Sequence, residues 1–529
     1  MAGSVSPSLS PTPTDSLLAF LLDGRRRCSL TGDSPFFDAF LSWPFRRSER
    51  DALSKLEELH MGENELNAVV ISQGARGLKN LKLVYLSGVN ATNSSVLLRS
   101  LGCFPLLKTL HLEFNKFNGT ETIQELRNLT NLEELFLDYS VLQNNFLQRV
   151  GELTSLKLLS LAGGWTSDSP PNIRGWTTDS PLNIGELRRL ELSNNSLSGH
   201  FRLPFHASMK LNYLDISKNI FEGHIPVEIG AYLPQLQFLY VSRNSFNGSI
   251  PSSIGDMKFL EELDLSNNSL TGVIPESLSL SCSFLKVLNL SNNSLEGQIF
   301  SANFKLTKLR YLRLDGNHFT GMIPNSLSNC STLSTIDVSH NYLSGEIPGW
   351  MRNLSNLKEI IMANNHLDGP MPVEFCQLNM PGVLDLSMNS ISGTLPSCFG
   401  LPWINHVHLS KNRLRGPIPD KLCKSSNLET MDLSNNHLTG NIPNCFGKLS
   451  SLSYLVLSYN NLEGEIPIQL CQLDKLSVIA LSHNNLSGRI PHCLNVTPHE
   501  EIKGYVHEYD FRYDEGKNLN ILVWNRSFL

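Results

Sequence analysis

Few residues in this chain have the types and spacing that catalysis requires. The 529 residues contain no Gly-rich phosphate loop, GxSxG turn, HExxH helix, CxxC pair or kinase motif. His406 and His408 alternate on one predicted strand and are a conceivable metal pair, but an exposed pair without a third ligand is weak support for a site. We therefore expect no enzymatic activity, no cofactor and no bound metal.

Composition disfavours several other classes of function. Hydrophobic residues make up 41% of the chain and charged residues 17%, while Asn (50) and Ser plus Thr (84) are abundant. This apolar content predicts a folded chain and not a disordered one. A net charge of −6 without a dense Lys/Arg stripe disfavours nucleic-acid binding. No run of 18 apolar residues is present to span a membrane.

A repeat of 23 to 25 residues organises most of the chain. One turn reads LEELDLSNNSLTGVIPESLSLSCSF from Leu260, and the next begins with LKVLNLSNNSLEG at Leu285. Thirteen consecutive turns from Leu187 keep this register, and degenerate turns precede them, which gives about eighteen in total. An asparagine recurs at one position of each regular turn: Asn195, Asn219, Asn244, Asn268, Asn293, Asn317, Asn341, Asn365, Asn389, Asn412, Asn436, Asn460 and Asn484.

The repeated positions have distinct physical roles. Leu263 and Leu265 alternate as in a strand and should point inward, while Ser266 should point outward. Asn268 ends the strand, and stacked Asn amides can satisfy backbone groups that a tight buried corner leaves unpaired. Gly272 permits a positive φ or a close backbone approach.

A single turn cannot bury its own leucine face, whereas a stack of turns forms a continuous core. We therefore predict an α/β-type repeat solenoid. The pattern LxxLxxLxLSxNxLxGxIP resembles the plant-type leucine-rich repeat of extracellular receptor-like proteins and receptor kinases, over most of residues 53 to 497. This resemblance implies a leucine-rich-repeat horseshoe or superhelix with a parallel β-sheet on its concave face. It does not specify a ligand.

The repeat frame divides the chain into four segments. Residues 1–52 contain no recognisable signal peptide or Cys cap, residues 53–186 are degenerate repeats, residues 187–497 are regular repeats, and residues 498–529 are a non-repeat tail. Residues 164–184 hold a tandem duplication, GWTSDSPPNIR and GWTTDSPLNIG, which we expect to be a surface excursion. The tail resembles the start of the island that interrupts late repeats in the family. We therefore expect an ectodomain that is incomplete at both ends.

Six of the ten cysteines form pairs 22 residues apart, which is close to one turn. The members of a pair would occupy neighbouring turns at nearly the same azimuth, about 5 Å apart and within disulfide reach. Disulfides that staple a secreted solenoid are one interpretation, and small buried thiols are the other. The candidate pairs are Cys376 with Cys398, Cys423 with Cys445, and Cys471 with Cys493. Cys282 and Cys330 are two turns apart, and we expect both to be free core residues.

Ligand recognition is expected on the outward side of the strands, whose side chains are not committed to the core. Aromatic residues and Arg suit the anchoring of a protein or peptide, and a merely solvated sheet face is the competing explanation. The candidates are Phe238, Tyr240, Arg243, Glu262, Asp264, Tyr311, Arg313, Asp337, His340, His406, His408, Tyr454 and Tyr459. We favour the patch Phe238, Tyr240, Arg243, Tyr311 and Arg313, which the acidic pair at 262 and 264 interrupts.

Thirteen Asn-x-Ser/Thr motifs are candidate N-glycosylation sites, whereas composition alone would supply about eight. They begin at Asn90, Asn93, Asn118, Asn128, Asn194, Asn247, Asn267, Asn292, Asn329, Asn353, Asn485, Asn495 and Asn525. The modest excess gives weak support for secretion.

The preferred interpretation is a non-catalytic ligand-recognition ectodomain of a receptor-like protein. The resemblance implies a position on the extracellular side of the plasma membrane, a peptide, protein or glycan ligand such as a microbial pattern, and signalling in defence or development through partner co-receptor kinases. Three alternatives remain open: the ectodomain of a leucine-rich-repeat receptor kinase, a secreted inhibitor of a cell-wall-degrading enzyme, and a truncated non-functional copy.

Overall fold

The computed structural model describes two compact units, Met1–Leu260 and Glu261–Leu529, each built from the same kind of turn. The described residues are 55–63, 79–89, 98, 101–102, 104–117, 126–140, 142, 146, 150–163, 186–202, 210–301, 303–378 and 381–494, with the backbone of a strand at Arg27–Ser29. The tandem duplication at 164–184 and the tail at 498–529 lie outside them.

The N-terminal unit contains one parallel strand of three residues in each turn. Its described strands are Arg27–Ser29, Glu58–His60, Leu83–Tyr85, Thr109–His111, Glu134–Phe136, Leu158–Ser160, Arg189–Glu191, Tyr213–Asp215 and Phe238–Tyr240. Neighbouring strands pair residue for residue, as Arg189 does with Tyr213 and Tyr213 with Phe238. The strand at Arg27–Ser29 pairs with Glu58–His60. A strand of the sheet therefore lies within residues 1–52, to which the repeat frame had assigned nothing.

The C-terminal unit repeats this arrangement. Its described strands are Glu262–Asp264, Val287–Asn289, Tyr311–Arg313, Thr335–Asp337, Glu359–Ile361, Val383–Asp385, His406–His408, Thr430–Asp432, Tyr454–Val456 and Val478–Ala480. Glu262 pairs with Val287, and Val287 with Tyr311, all in parallel. These stacked parallel strands confirm the predicted repeat solenoid in each unit.

Within the described residues, many turns also carry a second short strand, a single helical turn, or both, with the following bounds. The second strands are Ser198–His200, Ile220–His224 and Ser245–Ser249 in the N-terminal unit, and Ser269–Gly272, Ser294–Gly297, His318–Gly321, Tyr342–Glu346, His366–Asp368, Arg415–Gly416, His437–Asn441, Asn461–Glu465 and Asn485–Ser487 in the C-terminal unit. The α-helices are Ile229–Tyr232 and Glu276–Ser281. The 3-10 helices are Val150–Glu152, Ser252–Asp256, Asn325–Asn329, Gly349–Asn353, Val373–Gln377, Asp420–Lys424, Asn444–Lys448, Ile468–Gln472 and His492–Leu494.

The repeated leucines fill the interior. Leu263 and Leu265 are fully buried, as strand alternation predicts. The prediction that Ser266 points outward is wrong, because this residue is only 4% exposed. The chain already turns there: the carboxylate of Asp264 accepts the N–H of Ser266 at 2.9 Å, so alternation ends one residue earlier than expected.

The ladder asparagines form hydrogen bonds with the backbone groups of the buried corner, as the sequence predicts. Asn341 donates from Nδ2 to the carbonyl oxygen of Leu314 in the preceding turn (3.0 Å), and its Oδ1 accepts the N–H of Phe319 (2.9 Å). In a degenerate turn, the Oγ of Ser140 donates to the carbonyl oxygen of Leu112 at 2.7 Å. A hydroxyl therefore replaces the amide where the repeat lacks its asparagine.

The residue before each ladder asparagine has a left-handed backbone, which the sequence analysis did not predict. The φ angles lie between 52° and 57° at Asn194, Lys218, Arg243, Asn267, Asn292, His340, Asn364, Met388, Lys411, Asn435, Tyr459 and His483. This conformation costs most L-residues about 1–2 kcal/mol, and Gly and Asn tolerate it best. The predicted positive φ of Gly272 is also observed, at 76°.

The structure joins all three predicted cysteine pairs. The Cα atoms are 5.7 Å apart in Cys376–Cys398, 5.8 Å in Cys423–Cys445 and 5.5 Å in Cys471–Cys493. Cys282 and Cys330 are free and buried, as expected. Burial raises the pKa of the Cys330 thiol to about 12, which keeps it protonated and unreactive.

Candidate ligand-binding surface

The first strand of each turn belongs to one parallel sheet in each unit. The first and third residues of these strands share one side of that sheet, which we call the strand face. In the N-terminal unit this face carries an aromatic patch, formed by Arg189, Tyr213, Phe238 and Tyr240. The Arg189 guanidinium lies 3.5 Å from the centroid of the Tyr213 ring and donates to Glu191 at 2.7 Å. One cation is therefore held by a ring and a carboxylate together.

The rings of the patch form a tilted cluster. The centroid of Tyr213 is 5.8 Å from that of Phe238 and 5.6 Å from that of Tyr240. Burial and the negative charge of Glu191 raise the pKa of Tyr213 to about 12. The phenol therefore stays neutral over the physiological range and keeps its proton as a hydrogen-bond donor. Such an arrangement suits a partner with both apolar and polar groups.

A second aromatic feature, which we call the ring stack, occupies the third strand position in four consecutive turns. Ring centroids are 4.2 Å apart for His60 and Tyr85, 3.9 Å for Tyr85 and His111, and 4.2 Å for His111 and Phe136. The sequence analysis missed this stack because these turns are degenerate. The available signal was an aromatic or histidine at the end of ELH, LVY, TLH and ELF.

Carboxylates lie beside these rings. His111 contacts Glu113 at 2.7 Å, and Ser87 donates to the same carboxylate. Burial alone would raise the pKa of Glu113, but the hydrogen bonds from His111 and Ser87 hold it below its usual value. Burial, with the charges of Glu191 and Glu113, raises the pKa of Asp138. The strand face of this unit is thus a mixed aromatic and acidic surface.

Polar pairs dominate the strand face of the C-terminal unit. His408 lies 3.8 Å from Asp385, and the rings of His406 and His408 both reach Thr430 Oγ1 at 2.9 Å. Burial and the charge on His408 lower the pKa of His406. Within the described part of the chain, no three His, Cys, Asp or Glu side chains are grouped in a way that could hold a metal ion.

Two of the predicted ligand-binding residues have a structural role. Asp264 caps the backbone at Ser266, as described above, and Asp337 accepts both the N–H (3.1 Å) and the hydroxyl (2.7 Å) of Ser339. Burial and the neighbouring charge of Asp315 raise the pKa of Asp337 to about 7. These carboxylates are therefore structural caps at the end of the strand.

The other candidates fall into separate groups. Phe238, Tyr240 and Arg243 belong to the N-terminal unit, and the others to the C-terminal unit. On the C-terminal strand face, Tyr311 and Arg313 are exposed, while Glu262 and Tyr454 are half-buried. Three of the candidates, Arg243, His340 and Tyr459, are exposed and have the left-handed backbone just past the strand face.

The glycosylation motifs avoid the strand face. Eight of them start within the described residues, at Asn128, Asn194, Asn247, Asn267, Asn292, Asn329, Asn353 and Asn485, and none of these eight lies in a strand that forms the strand face, since Asn247 and Asn485 lie in second strands. Asn329 and Asn353 end 3-10 helices, and Asn194, Asn267 and Asn292 have the left-handed backbone. The motifs at Asn90, Asn93, Asn118, Asn495 and Asn525 lie outside the described residues. In the described part of the chain, no helix has the length and apolarity to cross a membrane.

Family models for the leucine-rich repeat match residues 258–319, 307–367 and 426–486, with shorter matches at 235–257 and 383–401. Among curated proteins, the mouse leucine-rich repeat transmembrane protein FLRT2 is 33% identical over 169 residues. That match covers 31% of this chain and 23% of FLRT2, so the chain spans about a quarter of this relative.

Two solved structures resemble the chain over much more of its length. The plant peptide hormone receptor RGFR1 in complex with RGF2 is 30% identical with a TM-score of 0.67, and the match covers 88% of this chain and 71% of that one. The Arabidopsis receptor kinase HAESA, in complex with the peptide hormone IDA and the co-receptor SERK1, is 29% identical with a TM-score of 0.61. That match covers 89% of this chain and 88% of the other.

Proposed function

Because the chain belongs to the leucine-rich-repeat family and resembles plant receptor ectodomains, we propose that it is a ligand-recognition ectodomain. Its ligand is a peptide or a peptide segment of a protein, and it binds on the strand face without chemical conversion. The aromatic patch of the N-terminal unit is the principal contact. Tyr311 and Arg313, on the strand face of the C-terminal unit, are separate candidate contacts.

The aromatic patch carries this proposal. Tyr213 is half-buried and offers a fixed ring and a neutral hydroxyl, while Arg189 and Glu191 supply opposite charges 2.7 Å apart. Tyr, Phe and Arg are the residue types that most often anchor a protein partner. The strand backbone fixes their spacing, so little side-chain freedom is lost on binding.

The distribution of glycosylation motifs supports the same surface. A glycan is bulky and well hydrated, and it would obstruct any ligand that approaches its attachment site. The motifs within the described residues start outside the strands that form the strand face. A glycosylated form of the protein would therefore keep the strand face accessible.

We further propose an extracellular location at the plasma membrane and signalling through partner receptor kinases. Three disulfides are consistent with an oxidising compartment. The similar HAESA structure contains a peptide hormone together with a co-receptor. By analogy with that complex, we assign a peptide ligand and a co-receptor to this chain as partners.

The test is a selection of peptides of about twelve residues, displayed on phage, against the purified full chain. We expect enriched peptides that lose at least about tenfold in affinity for a Tyr213→Ala, Phe238→Ala double variant. Tyr342→Ala, which removes a half-exposed ring from a second strand, is the matched control and should bind normally. Failure to enrich any peptide, or equal binding to both variants, would overturn the proposal.

A further inference from the structure

Three cations protrude from one turn of the C-terminal unit. Lys411, Arg413 and Arg415 occupy alternate positions of the segment KNRLRG, and all three are exposed. Leu414, which lies between the last two, is buried. Within the described residues, none of the three cations forms an ion pair. We call these three residues the cationic stripe.

The backbone of the stripe is fixed on both sides. The N–H of Arg413 donates to the carbonyl oxygen of Ile391 and that of Arg415 to Gly393, both at 2.8 Å, and the N–H of Lys411 donates to Ser434 at 2.9 Å. Arg413 and Arg415 are alternate residues of an extended segment and are about 6.6 Å apart, whereas Lys411 has the left-handed backbone that precedes the ladder asparagine. The three charges therefore project from a rigid support, and the last two have the spacing of an extended chain.

Neutral residues surround the stripe. The equivalent positions are Met388, Ser390 and Ser392 in the turn before, and Asn435, His437 and Thr439 in the turn after. In the strand register, Arg415 lies between Thr394 and His437. The nearby Asp432 is already committed, because it accepts the N–H (3.0 Å) and hydroxyl (2.7 Å) of Ser434. Positive potential is thus concentrated here in a chain whose net charge is −6.

The glycosylation motifs leave this region open as well. In the C-terminal unit, motifs start just before the ladder asparagine at Asn267 and Asn292, and just after it at Asn485. The turns between 316 and 461 carry none at these positions. Asn364 and Asn435 have the same left-handed backbone as Asn267 and Asn292. They do not begin a glycosylation motif, because the residue two positions later is His and not Ser or Thr.

We propose that the cationic stripe docks an acidic, extended segment of a partner protein, with carboxylates on alternate residues. An extended peptide has the same two-residue period as Arg413 and Arg415, so two of its carboxylates meet these two cations in register, and Lys411 attracts the acidic residues beside them. Each exposed pair contributes modestly, but the three cations together add up and favour fast association. This interaction is separate from the proposed ligand site and does not depend on it.

The test uses the purified full chain and a fluorescein-labelled (Ser-Glu)4 peptide, followed by fluorescence anisotropy at about 50 mM and about 300 mM NaCl. We expect salt-sensitive binding. The triple variant Lys411→Glu, Arg413→Glu, Arg415→Glu should lose about tenfold or more in affinity. The matched control, Lys421→Glu, Lys424→Glu, Lys448→Glu, makes the same charge change at exposed helical positions and should lose less than about threefold.

A second probe tests the spacing. A peptide with the same composition but its four glutamates in one block should bind more weakly than the alternating peptide. Equal losses in both triple variants would mean general electrostatic attraction and would overturn the assignment, as would no measurable binding of the wild type. Equal binding of the two peptides would overturn the extended geometry. Matching thermal unfolding curves for the two triple variants establish that both are folded.

Discussion

Nδ2 of Asn365 lies 2.9 Å from the carbonyl oxygen of Val338, one turn earlier in the chain. The same amide accepts the N–H of Leu343 through Oδ1 at 2.9 Å. One side chain therefore satisfies an acceptor and a donor that belong to the neighbouring turn. Because Asn365 is only 6% exposed, water cannot readily replace it.

Substitution of Asn365 by Ala should therefore destabilise the C-terminal unit. Each buried group left unpaired costs about 1–3 kcal/mol, so we expect a loss of about 3 kcal/mol in the free energy of unfolding. Urea denaturation would measure it, and amide exchange should accelerate at Leu343. Asn461→Ala, at an exposed position of a second strand, is the control. A cost no larger than that of the control would contradict the structural role.

The left-handed backbone leads to a stabilising substitution. Lys218 has a φ of 52°, although Lys gains nothing from this conformation. Lys218→Asn should raise the free energy of unfolding by about 0.5–1 kcal/mol, because Asn tolerates this region better. Lys258→Asn, at an exposed position without a positive φ, should show no such gain. Equal effects in the two variants, measured by urea denaturation, would refute this explanation.

The disulfides should stabilise the last turns. In the chain-entropy description, a bond closing a loop of this length contributes about 3 kcal/mol, so the double variant Cys423→Ser, Cys445→Ser should lose about that much. A non-reduced peptide digest should contain three cross-linked pairs. Reductant should lower the unfolding midpoint of the wild type more than that of the double variant. An identical drop in both proteins would show that this bond does not contribute.

The sequence was sufficient for features that recur at a fixed period. Each turn has nearly the same length, so Asn341 and Asn365 lie at the same angular position in successive turns. For the same reason, the separation of Cys423 from Cys445 along the chain places the two residues side by side in neighbouring turns. Stacking converts separation along the chain into proximity. The ladder and the proximity of the paired cysteines followed from this rule, which left both disulfides and buried thiols open at these positions.

The remaining features depend on contacts that the repeat does not encode. Lys218 and His340 share a left-handed backbone although their side chains have nothing in common, because hydrogen bonds to the next turn impose it. The ring stack from His60 to Phe136 depends on identities within turns that are too degenerate to align. Arg189 precedes a repeated leucine and lies on the outward side of its strand, but its contact with Tyr213 requires the rotamers of both.

Asp337 provides a pH-dependent prediction. Its pKa in the folded chain is about 7, above the ordinary value of 3.8, so the folded state binds this proton more tightly than the unfolded state. Stability from this group is present below the ordinary pKa and is lost as the pH rises through the folded value. Asp337→Asn keeps an acceptor for Ser339 and removes the charge. The variant should nearly match the wild type near about pH 4 and exceed it by roughly 4 kcal/mol near about pH 8.

The matched control is Asp432→Asn, because Asp432 makes the same two hydrogen bonds to Ser434 but pairs in register with His408. Both substitutions create an Asn-x-Ser motif, so both proteins should come from a host without N-glycosylation. Urea denaturation across this pH range would give the two differences from wild type. Only the Asp337 variant should gain stability as the pH rises, since only there does ionisation place a buried charge beside the carboxylate of Asp315. Parallel curves for wild type and Asp337→Asn would mean that this carboxylate is stabilised in its charged form by groups other than Ser339.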